Sequence, residues 1–297
     1  MKSGYIYVII TAVLFATFEP ISKLIAADIT PLAITAIRFL IAGLMLLPFS
    51  LREIKKQNVK LTLGDHLKMV GLGILFICAS MVSLQYGVKL STSPALIAIL
   101  FSANSVITIF LSSIMLKEKI TAQKLLALIL CVAGILVCSW QSLTGGSGAL
   151  SILLGILAAL TFSFYTVFNK KMMKKASGNI LISFSFIYGS ILLFPAIFIV
   201  DGGILSAETL TVKTALIMLY IAVAVTGIGY WAYFKALEKG SATLASLAFF
   251  VKPALSPIAA AIFVKEMPTV QIFIGLILVL IGSYMVSYAG KTKATKQ

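Results

Sequence analysis

Four ionisable side chains, Glu19, Lys23, Arg38 and Lys252, sit in stretches that are otherwise apolar. If those stretches lie in lipid, each charge costs on the order of 2.5–3.5 kcal/mol on insertion scales, so such groups mark a pathway or form fixed ion pairs. Glu19 and Lys23 are four apart, share a helical face and can pair. Lys23 lies nearer the end of its stretch and can also snorkel to water. Low dielectric favours the neutral form of a carboxyl group, which suits Glu19 to exchange a proton or a cationic ligand; a permanent pair with Lys23 or Arg38 is the alternative. Lys252 is too deep to snorkel easily, leaving a salt bridge to Glu19 or an anionic substrate group such as a carboxylate. Arg38 can hold an anion in the same way or stabilise the bundle.

Backbone and hydroxyl groups extend this set. Pro20, Pro253 and Pro257 each remove an amide donor, so the carbonyls of Ala16, Phe249 and Pro253 can turn toward a ligand. Ser102, Ser105, Thr108 and Ser112 follow one another at steps of three, three and four, with Asn104 beside them. That spacing makes one polar stripe, fit to bond across helices or to line a wet cavity. The aromatics Tyr165, Tyr230, Trp231 and Phe249 can wall such a cavity or simply pack.

Other chemistry finds little footing. No nucleophile–base–orienter set is visible and no carboxylate pair shares one span, so an enzyme is not expected. The chain has one histidine, His66, placed in a loop, and its three cysteines, Cys78, Cys131 and Cys138, fall in apolar runs. Neither a metal site nor a disulfide framework is expected, and no cofactor. The cluster Gly145-Gly146-Ser147-Gly148 lacks the lysine of a phosphate loop. The longest loop, about residues 50 to 66, is too short for a nucleotide-binding domain, so any transport runs on gradients.

The elements that must position these groups follow from hydropathy. The chain is 60% hydrophobic and 11% charged, with a mean hydropathy of +1.09. That is too little polar surface to face water all round. Ten apolar runs, centred near residues 14, 41, 77, 104, 131, 159, 189, 223, 253 and 278, read as membrane-spanning helices. The net charge of +15 does not signal a nucleic-acid partner. With the N-terminus placed in the cytoplasm, eighteen of the twenty-four Lys and Arg fall on the cytoplasmic side, as the positive-inside rule requires. Both termini are therefore expected inside a plasma-membrane protein.

The chain also repeats. A shift of 148 superposes LKEKITAQKLLALILCVAGILV (116–137) on VKEMPTVQIFIGLILVLIGSYM (264–285). A shift of 147 brings Lys23 onto Lys170, Phe39 onto Phe186 and Pro48 onto Pro195. Five spans per half is an odd number, so the second half must sit upside down, the plan of many secondary transporters. The expected organisation is a first repeat at 1–140, a Gly/Ser linker at 141–148, an inverted repeat at 149–290 and a basic cytoplasmic tail at 291–297.

These residues resemble a known family. The ten-span plan, the helix–K-E-x-x-T-x-Q–helix ending of each half, FEPISK in span one and AIRFLIAG in span two look like the EamA family of the drug/metabolite transporter superfamily. The resemblance implies a central cavity lined mainly by spans 1, 3, 4, 6, 8 and 9, with spans 5 and 10 peripheral. Arg38 matches the arginine common in that family's second span, and Pro253 the proline of each half's fourth helix. The first half has Ser105 where proline is usual, and Phe15 stands where tryptophan often occurs. Glu19 resembles the coupling carboxylate of the small multidrug-resistance branch. The expected function is secondary export of small polar metabolites such as amino acids, with protons as a candidate coupling partner. The rivals are efflux of organic cations or drugs and, further off, a membrane-embedded lipid-head-group carrier or enzyme. Besides substrate and lipid bilayer, no partner is implied, and monomer and homodimer stay open.

Overall fold

The computed structural model describes residues 2–115, 148–201, 211–239 and 242–294, with 122, 125–126, 129–130, 132–134, 136–137 and 140 between them. The protein is an all-α integral membrane protein. Among the described residues, seven helices are long and apolar enough to span a bilayer: α1 (Gly4–Lys23), α2 (Pro31–Gln57), α3 (Leu63–Leu90), α4 (Pro94–Met115), α5 (Ala149–Met172), α6 (Gly178–Val200) and α7 (Val212–Lys239). Two more helices, α8 (Ala242–Phe263) and α9 (Val270–Ala294), follow among the described residues. The expected fifth span falls between α4 and α5, and its described residues are helical. Segment 116–121, Cys131, Cys138 and the Gly/Ser linker up to residue 147 lie outside the described residues.

Local signals set the helix limits. Pro31 and Pro94 stand in the first turns of α2 and α4, where a missing amide costs nothing, and Thr30 and Ser93 accept from Ala33 and Leu96 to cap them. Helix α2 runs on to Gln57 and stops at Asn58, whose left-handed φ of 49° forms the C-cap. Thr62 and Asp65 then open α3, with Asp65 accepting from the Thr62 amide at 2.8 Å. The long loop expected over 50–66 thus shrinks to residues 58–62, because capping residues at both ends extend the helices into it. His66 is correspondingly not in a loop but in the first turn of α3, 2.8 Å from the Tyr188 hydroxyl.

Four helices depart from α geometry. Helix α1 breaks at Thr17, one turn before the proline at position 20. Helix α4 breaks at Ala103, although no proline stands there. The hydroxyls of Ser102 and Ser105 instead donate to Ala98 and Ser102 carbonyls, and Asn104 to the Phe101 carbonyl, competing with the helix ladder. Helix α3 is π-helical over Ile74–Met81, and so is α7 over Ile221–Ile228. The two π segments are 147 residues apart, the same shift that aligns Lys23 with Lys170.

Packing follows the same shift. Helix α1 lies against α7 and α8, as α5 lies against α3 and α4; α2 packs on α6 and α7, as α6 packs on α2 and α3. Gly73 and Gly189 let α3 and α6 cross closely: a Cβ at Gly73 would stand 2.6 Å from the Ser185 carbonyl oxygen. At Gly134 a Cβ would stand 2.7 Å from the Gly275 carbonyl, so the expected fifth span crosses α9 there. One aromatic cluster fills the centre, with Phe76 stacked on Tyr165 at 4.2 Å and Phe39 edge-on to Phe186 at 4.8 Å.

Candidate functional site

Glu19, two residues past the break in α1, and Lys252, just before Pro253 in α8, come together. Lys252 donates to Glu19 Oε1, and the pair is sealed, at 0% and 2% exposed. Pro20 removes the donor that would have reached the Ala16 carbonyl, and the Ser256 hydroxyl supplies one at 3.3 Å. Helices α1 and α8 are thus joined by an ion pair and, one turn away, by a side-chain bond to freed backbone.

Arg38 of α2 completes the charged group. Its guanidinium lies 4.1 Å from the Phe18 ring centre and 4.3 Å from that of Phe39, a cation held between two aromatic faces. Lys252 stands 4.9 Å over the Phe101 ring. Several buried polar atoms here have no hydrogen-bond partner among the described residues: Glu19 Oε2, and Arg38 Nε and Nη2. A buried polar atom left unpaired costs about 1–3 kcal/mol, more when charged, so these atoms define where a polar guest is welcome. A cavity of about 10 Å³ lies against Arg38 and Lys252, lined also by Phe15, Phe18, Phe101 and Tyr230 among others. That is room for about one water, so the site is closed in this conformation.

The other candidate residues divide. Tyr165, Tyr230 and Phe249 belong to the central aromatic cluster: Tyr230 packs 4.6 Å from Phe15 and donates to Met81 Sδ, and Phe249 lies 5.6 Å from Phe15. Trp231 points elsewhere, edge-on to Tyr7 at 5.5 Å. The hydroxyls of Ser102 and Ser105 are engaged by their own helix, while Asn104 Oδ1, Thr108 Oγ1 and Ser112 Oγ are buried with no partner among the described residues. Pro253 and Pro257 are buried in α8 beside the pair. Among the described residues no three His, Cys, Asp or Glu side chains cluster as metal ligands.

Lys23 does not meet Glu19. Its ammonium caps the C-terminal end of α3, donating to the carbonyls of Val88 and Lys89 at 3.0 Å and of Ser91 at 2.5 Å. Four residues of separation gave it two possible partners, and unsatisfied carbonyls at a helix end, with the dipole behind them, hold it. Glu266, in the turn after α8, accepts from the Ser93 hydroxyl and attracts Lys23, and burial pushes its carboxyl above the usual carboxylate range. Lys170, the repeat mate of Lys23, caps α7 by donating to the Leu237 carbonyl at 2.7 Å. At that end of the bundle Glu53 also accepts from Ser177 and Asn179. Each end is therefore tied by a lysine on helix-end carbonyls. The spacing of charged residues pointed to the lysines but carried no sign of the carbonyl acceptors, which only the folded chain supplies.

Comparison with known proteins bears on the family and the fold. The model of the EamA-like transporter family matches residues 2–140 and 149–288. A Clostridium kluyveri protein described as an "uncharacterized transporter" is 32% identical over 301 residues, covering 99% of this chain and 96% of that one. An Escherichia coli protein described as a "probable amino-acid metabolite efflux pump" is 25% identical over 96% of this chain and 94% of its own. One of the same description from Salmonella typhimurium is 23% identical over 99% and 97%. A protein solved by crystallography superposes with a TM-score of 0.72 at 15% identity, over 98% of this chain and 99% of that one, a likeness of fold.

Proposed function

The chain belongs to the EamA-like transporter family and is a secondary transporter of small molecules across a membrane, and from that premise we propose that it exports amino-acid-like zwitterions by alternating access. The observation that carries this reading is the buried Glu19–Lys252 pair with valences left open beside Arg38. A zwitterion brings one group for each side of it: its ammonium suits the free oxygen of Glu19, and its carboxylate suits Lys252 and the unpaired donors of Arg38. An organic cation alone would leave Arg38 and Lys252 facing each other without an anion. The names of the two enterobacterial relatives point the same way.

The proposed architecture is ten spans in two inverted repeats, 1–140 and 149–290, joined by linker 141–148 and followed by tail 291–297. Support comes from the π segments 147 residues apart, the recurring helix pairs, and contact between the repeat mates Phe39 and Phe186. Lys23 meets the C-terminal end of α3, whereas the turn after α5, the repeat mate of α1, meets its N-terminal end through Lys175 and Asp65. Repeat mates at opposite ends of one helix favour inversion. The crowding of lysines at the Asp65 end favours cytoplasmic termini and a plasma-membrane location. Glu19 is the proposed proton or ammonium acceptor.

The test is counterflow and gradient-driven efflux of labelled amino acids from proteoliposomes containing only this chain. Glu19→Gln should reduce efflux at least tenfold and remove any dependence on a pH gradient. Unchanged, gradient-driven efflux in that variant removes Glu19 from the mechanism.

A further inference from the structure

A second opening lies away from the buried pair. A cleft of about 600 Å³ separates the first turns of α3 from the last turns of α5. Lys68, Lys171 and Lys175 line it together with apolar Leu72, Leu75 and Phe168. The three lysines are exposed and Leu72 is buried, so the charges stand at the mouth and the apolar groups within.

The charges are not balanced. Asp65, the one acid lining the cleft, accepts from the amide and hydroxyl of Thr62 and from Lys175. It caps α3 and holds Lys175, and leaves Lys68 and Lys171 with no carboxylate partner among the described residues. Nor does the fold demand lysines here: under the shift of 147, Lys68, Lys171 and Lys175 meet Ala215, Leu24 and Asp28. From the mouth an apolar wall continues outward, with Leu67 63%, Ile74 47% and Phe168 39% exposed.

We propose that this cleft binds an acidic phospholipid of the surrounding bilayer, its phosphate between Lys68 and Lys171 and one acyl chain along Leu75 and Phe168. Two ammonium groups at a membrane-spanning helix end attract anionic headgroups, and basic pockets between such helices hold them. The apolar wall selects a lipid over a free phosphate metabolite, which would leave Leu67 and Ile74 without a partner. The proposal rests on membrane embedding and not on the export reading, so each fails separately.

The experiment uses the full chain in uncharged detergent, with lipid binding read by native mass spectrometry and by thermal unfolding. Phosphatidylglycerol should bind saturably and raise the unfolding temperature, while phosphatidylcholine and inorganic phosphate should not. Lys68→Gln/Lys171→Gln should lose at least tenfold in phosphatidylglycerol affinity, and Lys68→Arg/Lys171→Arg should retain it. Lys55→Gln/Lys56→Gln, exposed at the end of α2, should change affinity less than twofold. Equal binding of phosphatidylcholine, an equal effect of inorganic phosphate, unchanged affinity in the glutamine pair, or as large a loss in the Lys55/Lys56 control would each overturn the proposal.

Discussion

The Glu19–Lys252 pair offers the sharpest energetic test, because both partners are sealed from water. Removing one partner of a buried pair leaves an uncompensated charge and costs about 3–5 kcal/mol, which is about two to nearly four decades in a folding equilibrium. Lys252→Met and Glu19→Gln should each destabilise the chain toward that range. The Glu19→Gln/Lys252→Met double variant removes both charges, and replacing a buried pair by neutral groups is often close to neutral. The double variant should therefore lose less than the sum of the singles by about 2 kcal/mol or more, a coupling that a double-mutant cycle reads directly. Denaturant titration in detergent is the assay. Additive losses, or a double variant as unstable as the singles summed, would refute the pair as a coupled unit. Transport should fail in all three variants, which separates the stability of the pair from its use.

Two further outcomes follow from the helix crossings and the end closures. Gly73→Ala places a Cβ 2.6 Å from the Ser185 carbonyl and should cost about 1–3 kcal/mol in denaturant titration, while Gly71→Ala, with nothing within 4 Å, should be neutral or stabilising. Glu266 faces Ser93, the Ala95 amide and Lys23, and its burial outweighs those partners and raises its titration. The closed form thus binds the proton more tightly than an open, hydrated form would, so acid should favour closure and rising pH should loosen it. Hydrogen exchange of residues 88–95, corrected for intrinsic rates, should slow as pH falls through the titration of Glu266, and Glu266→Gln should abolish that dependence; its persistence would assign the effect elsewhere.

Much of this frame is legible in the residues, because lipid imposes simple demands. The spans follow from runs of apolar residues, and the shift of 147 that aligns Lys23 with Lys170 also aligns the two π segments. The partner of Glu19 was not legible. Lys23, Arg38 and Lys252 were all open to it, and the choice depends on where α8 crosses α1, a long-range contact that spacing cannot encode. Nor could Ser102 and Ser105 be told apart from cavity-lining hydroxyls, since the same stripe that faces a neighbour can bond its own carbonyls. The Phe18–Arg38–Phe39 sandwich leaves no periodic signal, and the Thr62–Asp65 cap was hidden inside a stretch whose polarity reads as loop.

The internal pair also bears on how an empty carrier returns. A carrier that exposed a bare carboxylate and a bare ammonium in turn would face the cost of dehydrating each whenever it closed without substrate. Here the two neutralise each other's charge in the closed conformation, beside a cavity of only about 10 Å³. On the proposed export reading, a zwitterion entering this site would exchange one internal pair for two external ones and bring a partner for the donors of Arg38 that have none among the described residues. A cavity of about 10 Å³ has no room for it, so on that reading entry would require the Lys252–Glu19 contact and the Ser256 bond to Ala16 to give way together. The same reading predicts that binding is strongest in a conformation other than this one, the differential affinity by which a substrate shifts the population of a carrier. A ligand that filled the cavity without parting the pair would bind and move nothing.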